Sequence, residues 1–417
     1  MTQILDLHIH SRYSRACSPQ LTLVNIDKAA RMKGVDIIAT GDFTYPDWFK
    51  SIKEELVETT PGAGLYRLKK AKDDKVKFIL STEVALIYKA EGRVRRLHIM
   101  ITAPDLEAAE ALNKALDKKY NIRSDGRPIL GLAAPELVKL CLKIDPRFLI
   151  YPAHIWTPWF SVFGSKSGFD SLKECFQDQV KHIYAVETGL SSDPAMNWRL
   201  SGLDKLTILS NSDAHGLNNI GREANAMEFS GAPTYQKIYD NIKNRTGLAY
   251  TIEFYPEEGM YHFDGHRDCN FSCSPAESKK LKNICPFCHK PLVIGVLSRV
   301  EELADRPEGY RPPKAVPFKK LVELDKIIAE AYGIKTRSSA AVQKEYLRLI
   351  GLFDRELDIL LNLDLAKNSK EIDFRILEGI KRVREGNLII KPGFDGRYGE
   401  INIFSDANRP SRQSALL

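Results

Sequence analysis

The sequence predicts an α/β fold in which a parallel sheet or barrel is followed by a small zinc-binding module and a mostly helical C-terminal domain. Three observations predict it. Over roughly the first 250 residues, short apolar runs alternate with stretches of helical spacing, and each run closes on a polar residue. Four of the seven cysteines crowd into residues 269–288, a pattern that suits a metal site better than a disulfide framework. From residue 318 the pattern becomes amphipathic at helical spacing, in KLVELDKIIAEAYG and KEYLRLIGLFDRELDILL.

Taken in order, residues 3–9 (QILDLHI) alternate and read as a first strand, and residues 23–34 show helical spacing that stops at Gly34. VDIIAT (35–40) is a second strand, followed by a charged, aromatic segment from Asp42 to Trp48. Strands are then expected at 76–86, 96–103, 147–154, 182–189 and 206–215, with helices at 105–119 and 135–142. Active-site groups collect at the carboxyl ends of strands in such folds. The polar residues there are His8, His10, Asp42, Glu83, His98, His154, Glu187, Asp213 and His215. Pro307, Pro312, Pro313 and Pro317 mark a linker-like stretch, IIKPGFDGRYGEINIF reads as a hairpin, and the chain turns polar from Ser405. The expected boundaries are 1–258 for the α/β domain, 259–300 for the zinc module, 301–404 for the helical domain and 405–417 for a tail.

With 417 residues, 43% hydrophobic and 28% charged, the composition is that of a globular chain of two to four domains. Collagen, disorder and a disulfide-stapled mini-protein are excluded. The absence of a spanning apolar run and of a leader pattern predicts an intracellular, cytoplasmic protein. The 61 basic against 54 acidic residues give +7, which permits a polyanionic partner without demanding one.

His8-x-His10 puts two imidazoles on one face of a strand, because side chains alternate with period two, and Asp213-x-His215 repeats the arrangement near the end of the sheet. Imidazole with carboxylate suits Zn²⁺, Mn²⁺ or Fe, and Glu83 could bridge a multi-metal site. One such histidine is most often a solvated loop residue. Five on successive strands favour metal.

The segments DLHIHSRYS (6–14), TGD (40–42), STE (81–83), His98, PAH (152–154) and SNSDAH (210–215) resemble the motifs of the PHP (polymerase and histidinol phosphatase) family, in that family's order. The resemblance implies a distorted β/α barrel that binds two or three metals and hydrolyses phosphoesters. It assigns His8, His10, Glu83 and Asp213 to one metal and Glu83, His98 and His154 to a second. A third site would use Asp42 and His215 but is incomplete here, because Phe43 follows Asp42 and no histidine lies between His10 and His98. Glu187 and Asp193, in ETGLSSD, are expected to support catalysis, with a loop-capping role for Asp193 as the alternative.

Cys269-x3-Cys273 and Cys285-x2-Cys288 can close a tetrahedron around a structural Zn²⁺, with His266 or His289 as alternative fourth ligands. Together with YHFDGHRDC (261–269), CPFC (285–288), GVLSRVEELADRP (295–307) and KPGFDGRYGEI (391–401), the whole chain is similar to the endonuclease Q family. That resemblance implies a DNA repair enzyme that nicks single- or double-stranded DNA 5′ of deaminated bases (hypoxanthine, uracil, xanthine) and of abasic sites. It also implies zinc, with Mg²⁺ or Mn²⁺ as further candidates at the catalytic site.

A flipped base needs aromatic walls, and Trp156, Trp159 and Phe160 directly follow His154. Arg93, Arg95 and Arg96, then Lys279, Lys280 and Lys282, then Lys381, Arg382 and Arg384 are candidate backbone contacts. Gln413 to Leu416 resembles the opening of a sliding-clamp-binding peptide. The competing expectations are a small-molecule phosphoesterase, which would need no residue beyond the α/β domain, and a DNA-binding adaptor without catalysis.

Overall fold

The computed structural model describes residues 1–405. The expected tail, apart from Ser405, and the Gln413 to Leu416 segment lie outside them. The structure is α/β over its first part, with a helical C-terminal region.

The local chemistry explains the elements. The helix Leu23–Lys33 starts where Thr22 accepts from Asn25 N–H and stops at Gly34, which sits at φ 93° and donates its N–H to Ala30. The segment from Asp42 to Trp48 runs into a helix, Pro46–Glu55, whose first position is the proline that sequence periodicity alone does not flag.

The eight-stranded sheet has the order Phe318–Lys320, Leu248–Glu253, Ala224–Glu228, Thr2–Asp6, Ile37–Ala39, Lys77–Ile79, Tyr66–Leu68, Leu56–Glu58. Thr2–Asp6 pairs parallel with Ile37–Ala39, which pairs parallel with Lys77–Ile79. A four-stranded sheet runs Ile129–Leu130, Ser81–Ala90, Arg93–Thr102, Leu149–Pro152, and Ala185–Glu187 pairs parallel with Thr207–Leu209.

The expectation of parallel strands throughout is corrected. Ser81–Ala90 and Arg93–Thr102 form a long antiparallel hairpin. The two residues between them, Glu91 at φ 52° and Gly92 at φ 75°, are both left-handed, as a tight hairpin turn requires. The ladders are separate sheets among the described residues, with short bridges such as Ile9 to Ala214 between them.

The apolar interior has three parts. The first spans Leu5 to Ile242 and takes in Val296 and Val300 from the helix Val296–Leu303. The second gathers Ile252, Leu324, Ile328, Val342, Leu349, Ile376 and Ile401. The third holds only Cys273, Cys285 and Leu292. A seam joins the first two: Lys33 pairs with buried Glu356 at 2.8 Å, and Glu356 accepts from Leu324 N–H and Tyr346 O–H. Among the described residues, no helix is long and apolar enough to cross a membrane.

Candidate metal centre

The chain beyond the strand Thr2–Asp6 stays extended enough to keep the His-x-His alternation. It is held by Leu7 N–H on Asn211 Oδ1 (2.9 Å) and His10 N–H on Ala214 O (3.1 Å). Both imidazoles are fully buried. Each is fixed through Nδ1 by a carboxylate: His8 by Glu187 at 3.0 Å and His10 by Asp42 at 3.0 Å. Both therefore turn Nε2 inward, the way second-layer carboxylates orient metal-ligating imidazoles. Asp213, at φ 45°, brings Oδ1 to 3.1 Å from His10 Nε2 and 3.5 Å from His8 Nε2.

His8 Nε2, His10 Nε2 and Asp213 Oδ1 are buried, converge on one another, and make no hydrogen bond. Orphaned polar atoms are costly in an interior. Three lone-pair donors aimed at one point are the donor set of a divalent cation.

Glu83, His98 and His154 form the second group. Glu83 Oε1 lies 2.9 Å from His98 Nδ1 and 3.2 Å from His154 Nε2, while Oε2 lies 3.4 Å from His10 Nε2. Glu83 thus stands between the two groups. His154 sits in the left-handed region at φ 28° and gives its N–H to Glu187 Oε1 (3.1 Å). The chain passes so close to it that a Cβ on Gly189 would lie 2.3 Å from the Cβ of His154, so only glycine fits there.

The charges reinforce one another. Burial pushes His8 and His10 toward neutrality, but Glu187, Asp213 and Glu83 around the first and Asp42 beside the second outweigh it and raise both imidazoles. Burial opposes ionisation of Glu83, yet His98, Arg127 and His8 hold it well below the usual carboxylate range. Burial dominates at His98 and pushes it down to about 4.

Several expected site residues fall elsewhere. Asp42 is spent: Oδ1 takes His10, and Oδ2 accepts from Ser11 N–H (2.7 Å), the Ser11 hydroxyl (2.7 Å) and the Ser14 hydroxyl (2.8 Å). It orients His10 and joins neither ligand group. His215 packs its ring 4.7 Å from His10 and bonds the Asp213 carbonyl, also outside both groups. Glu187 is a hub, bonded to His8, His154 N–H and Asn211. Asp193 turns away from the ligands, caps the helix Pro194–Asn197 through Met196 N–H (2.9 Å) and pairs with Lys320 at 2.8 Å.

Trp156 is 1% exposed and donates to Asn197 Oδ1, so it belongs to the core and cannot stack on a base. Trp159 is 42% exposed, 5.8 Å from Tyr261, and Phe160 lies 4.6 Å from the His98 ring. Arg95 is buried over Phe169, and Arg384 donates to the carbonyls of Ile359, Leu360 and Leu363, so neither is available to a DNA backbone.

Sequence reasoning misses Arg127, whose Nη1 lies 2.9 Å from Glu83 Oε2. A single arginine in an aperiodic loop carries no signal. Sequence reasoning also assigns no role to Ser11 and Ser14, although both lie within the HSRYS segment.

In the cysteine module the converging atoms belong to His266, Cys269, Cys285 and Cys288. Cys273 is outside the group, so the residues brought together are those of the His266 alternative. The reason is register: in the hairpin of Asp264–His266 with Phe271–Cys273, His266 faces Phe271 next to the turn, whereas Cys273 faces Asp264. At about 3.3 Å per residue, Cys273 stands two positions further from the turn. It is buried beside Leu292 instead. His289 is exposed and takes no part.

The MJ0043 C-terminal domain family matches residues 323–387. The MJ0043 protein of Methanocaldococcus jannaschii, described only as uncharacterised, is 34% identical over 254 residues. That is 59% of this chain but 31% of MJ0043, so the match spans about a third of that protein's length. The lesion-specific endonuclease PfuEndoQ from Pyrococcus furiosus has a crystal structure that is 30% identical and covers 99% of this chain and 98% of its own, with a TM-score of 0.85. A crystal structure of endonuclease Q with a 27-mer duplex substrate carrying an abasic lesion at the active site is 30% identical, covers 99% and 100%, and has a TM-score of 0.84.

Proposed function

Because the chain belongs to the endonuclease Q family, we propose that it is a metal-dependent DNA repair endonuclease. It hydrolyses the phosphodiester 5′ of deaminated bases (hypoxanthine, uracil, xanthine) and of abasic sites, leaving 3′-hydroxyl and 5′-phosphate ends. The observation that carries the reading is the convergence of buried, unbonded His8 Nε2, His10 Nε2 and Asp213 Oδ1 beside Glu83, His98 and His154.

Divalent cations held by these two groups, zinc or Mg²⁺ or Mn²⁺, would supply Lewis acidity toward water and toward the leaving oxygen. The residues around them do the rest. Glu187 and Asp42 hold the imidazoles with Nε2 inward. Glu83 places a carboxylate oxygen toward each group. Phe160 covers one side of His98, and Trp159 offers an exposed ring for an extruded base at the same end.

We read the sheets of residues 1–258 as a distorted PHP-type barrel, residues 259–300 as a structural zinc module and residues 301–404 as a DNA-binding domain. The reading is tested with end-labelled duplexes containing one hypoxanthine, one uracil, one xanthine, one abasic site or no lesion, in Mg²⁺, Mn²⁺ or Zn²⁺. A single nick 5′ of the lesion is expected, with no cut in undamaged DNA. Hydrolysis of a small phosphoester with every duplex left uncut would replace it with the phosphoesterase reading.

A further inference from the structure

Arg127 is out of place in a centre made for cations. Among the described residues it is the one arginine or lysine with a hydrogen bond to a member of the two ligand groups. At a few ångströms a fixed positive charge opposes the binding of a divalent ion. Its charge helps to keep Glu83 ionised, and an anionic substrate would give its remaining donors a second partner.

The position is built and not incidental. The turn that carries Arg127 is fixed by Gly126 N–H on Tyr13 O (3.0 Å) and by Asp125 Oδ1, which accepts from both Arg127 N–H (3.0 Å) and Arg15 N–H (3.2 Å). Gly126 lies so close to the ligand-bearing loop that a Cβ would sit 2.4 Å from Asp42 Oδ2 and from Ser14 Oγ. On the far side, Pro128 O accepts from Ala85 N–H (3.0 Å), two residues past Glu83. The guanidinium is thus anchored between the HSRYS segment and the strand of the shared carboxylate.

Its side chain is 22% exposed, the same fraction as Asp213. Of the five N–H groups a guanidinium carries, only one on Nη1 has a partner among the described residues, Glu83 Oε2. The remaining donors form a planar fork, the geometry that suits phosphate oxygens.

We propose that Arg127 binds a non-bridging oxygen of the scissile phosphate, seating it against the two ligand groups. The proposal rests on the endonuclease reading. The rival role is that Arg127 only orients Glu83.

A charge-removal cycle separates the two. Metal-loaded protein is titrated, by fluorescence anisotropy, with two abasic duplexes that resist cleavage at the linkage 5′ of the lesion. One carries a charged 3′-methylene phosphonate and the other an uncharged methylphosphonate. Wild type is expected to prefer the charged duplex, and Arg127→Gln to lose about fivefold or more of that preference, in line with a charge-assisted hydrogen bond. Arg127→Lys should fall between them. Metal content by mass spectrometry should be unchanged or higher in Arg127→Gln.

An unaltered charge preference in Arg127→Gln would overturn the proposal. So would loss of metal from that variant, since an orienting role for Glu83 predicts it. If wild type fails to nick the ordinary abasic duplex, the endonuclease reading itself falls. If wild type nicks it and the preference is unaltered, only the assignment of Arg127 falls.

Discussion

The two donor groups beside the strand ends and the donor group of the cysteine module use histidine in common, but their surroundings differ in kind. His8, His10, Glu83, His98, His154 and Asp213 sit on a large apolar interior that exists without them. His266, Cys269, Cys285 and Cys288 converge in a module whose own buried apolar core, among the described residues, is Cys273, Cys285 and Leu292. The first set mixes imidazole with carboxylate, keeps partly exposed members and has an arginine at its edge. The second offers four ligands and so has no position left for substrate. On our reading the first region spends folding energy to present ligands to DNA, and the second takes folding energy from its ligands. The difference is testable, because removing a ligand should cost activity in one region and structure in the other.

The largest effect is expected from Asp213→Ala. It removes one of three converging donors, so nicking of an abasic duplex should drop by at least about a thousandfold. Since the interior is independent of the ligands, the melting temperature of metal-free protein should move by only a few degrees. A loss of fold in Asp213→Ala would break the contrast.

Next is Cys285→Ser. It should release the module's metal and expose residues 261–292 to limited proteolysis, because a core this small does not hold without its metal. His266→Ala should do the same more weakly, whereas Cys273→Ala should keep the metal and cost about 1 kcal/mol or more of packing. Retained metal in His266→Ala together with loss in Cys273→Ala would return the module to four cysteines.

Glu187→Gln addresses orientation. It keeps the shape but weakens the bonds to His8 Nδ1 and His154 N–H. Metal affinity or activity should fall about 10- to 100-fold, measured by metal titration and by nicking rates.

The smallest effect concerns pH, and the two regions should answer with opposite signs. Burial raises Glu253 to about 8, and burial with Glu253 alongside raises Glu223 well above the usual range. A carboxyl whose folded pKa is raised stabilises the fold fully below its unfolded value near 4.5, and that stability is lost as pH rises through about 8. The α/β region should therefore weaken, by an order of a few kcal/mol, between pH 5 and about pH 8–9. The cysteine module should weaken as pH falls, because protonated thiols release metal. Glu253→Gln should flatten the alkaline loss in thermal melts and leave acid release of metal untouched.

How much of this was legible in the sequence depends on periodicity. His8, His10, Glu83, His98, His154 and Asp213 could be read because strand alternation and strand ends are local properties, and the structure brings them together as two groups. The Glu91–Gly92 hairpin escapes a reading by apolar pattern because the strands on either side of its two-residue left-handed turn run through the charged stretch from Lys89 to Arg96, which breaks that pattern. Asp42 reads as a ligand in the sequence because residue type does not reveal that His10, Ser11 and Ser14 take up its carboxylate, and His215, anchored through Nδ1 on the Asp213 carbonyl, stands beside His10 without joining either converging group. Cys273 was chosen over His266 because spacing along the chain cannot report hairpin register. Arg127 reaches Glu83 from 44 residues away in a loop without period, and only the fold brings them together.

The contrast between the regions is tested most directly by graded chelation of the intact protein, with zinc content and nicking of an abasic duplex followed in the same samples. The account predicts that nicking is lost first and returns when Mn²⁺, Mg²⁺ or Zn²⁺ is added back, while one zinc per chain stays bound and the module stays resistant to protease. Nicking that survives removal of all but that one zinc, or that disappears only in step with its release, would contradict it.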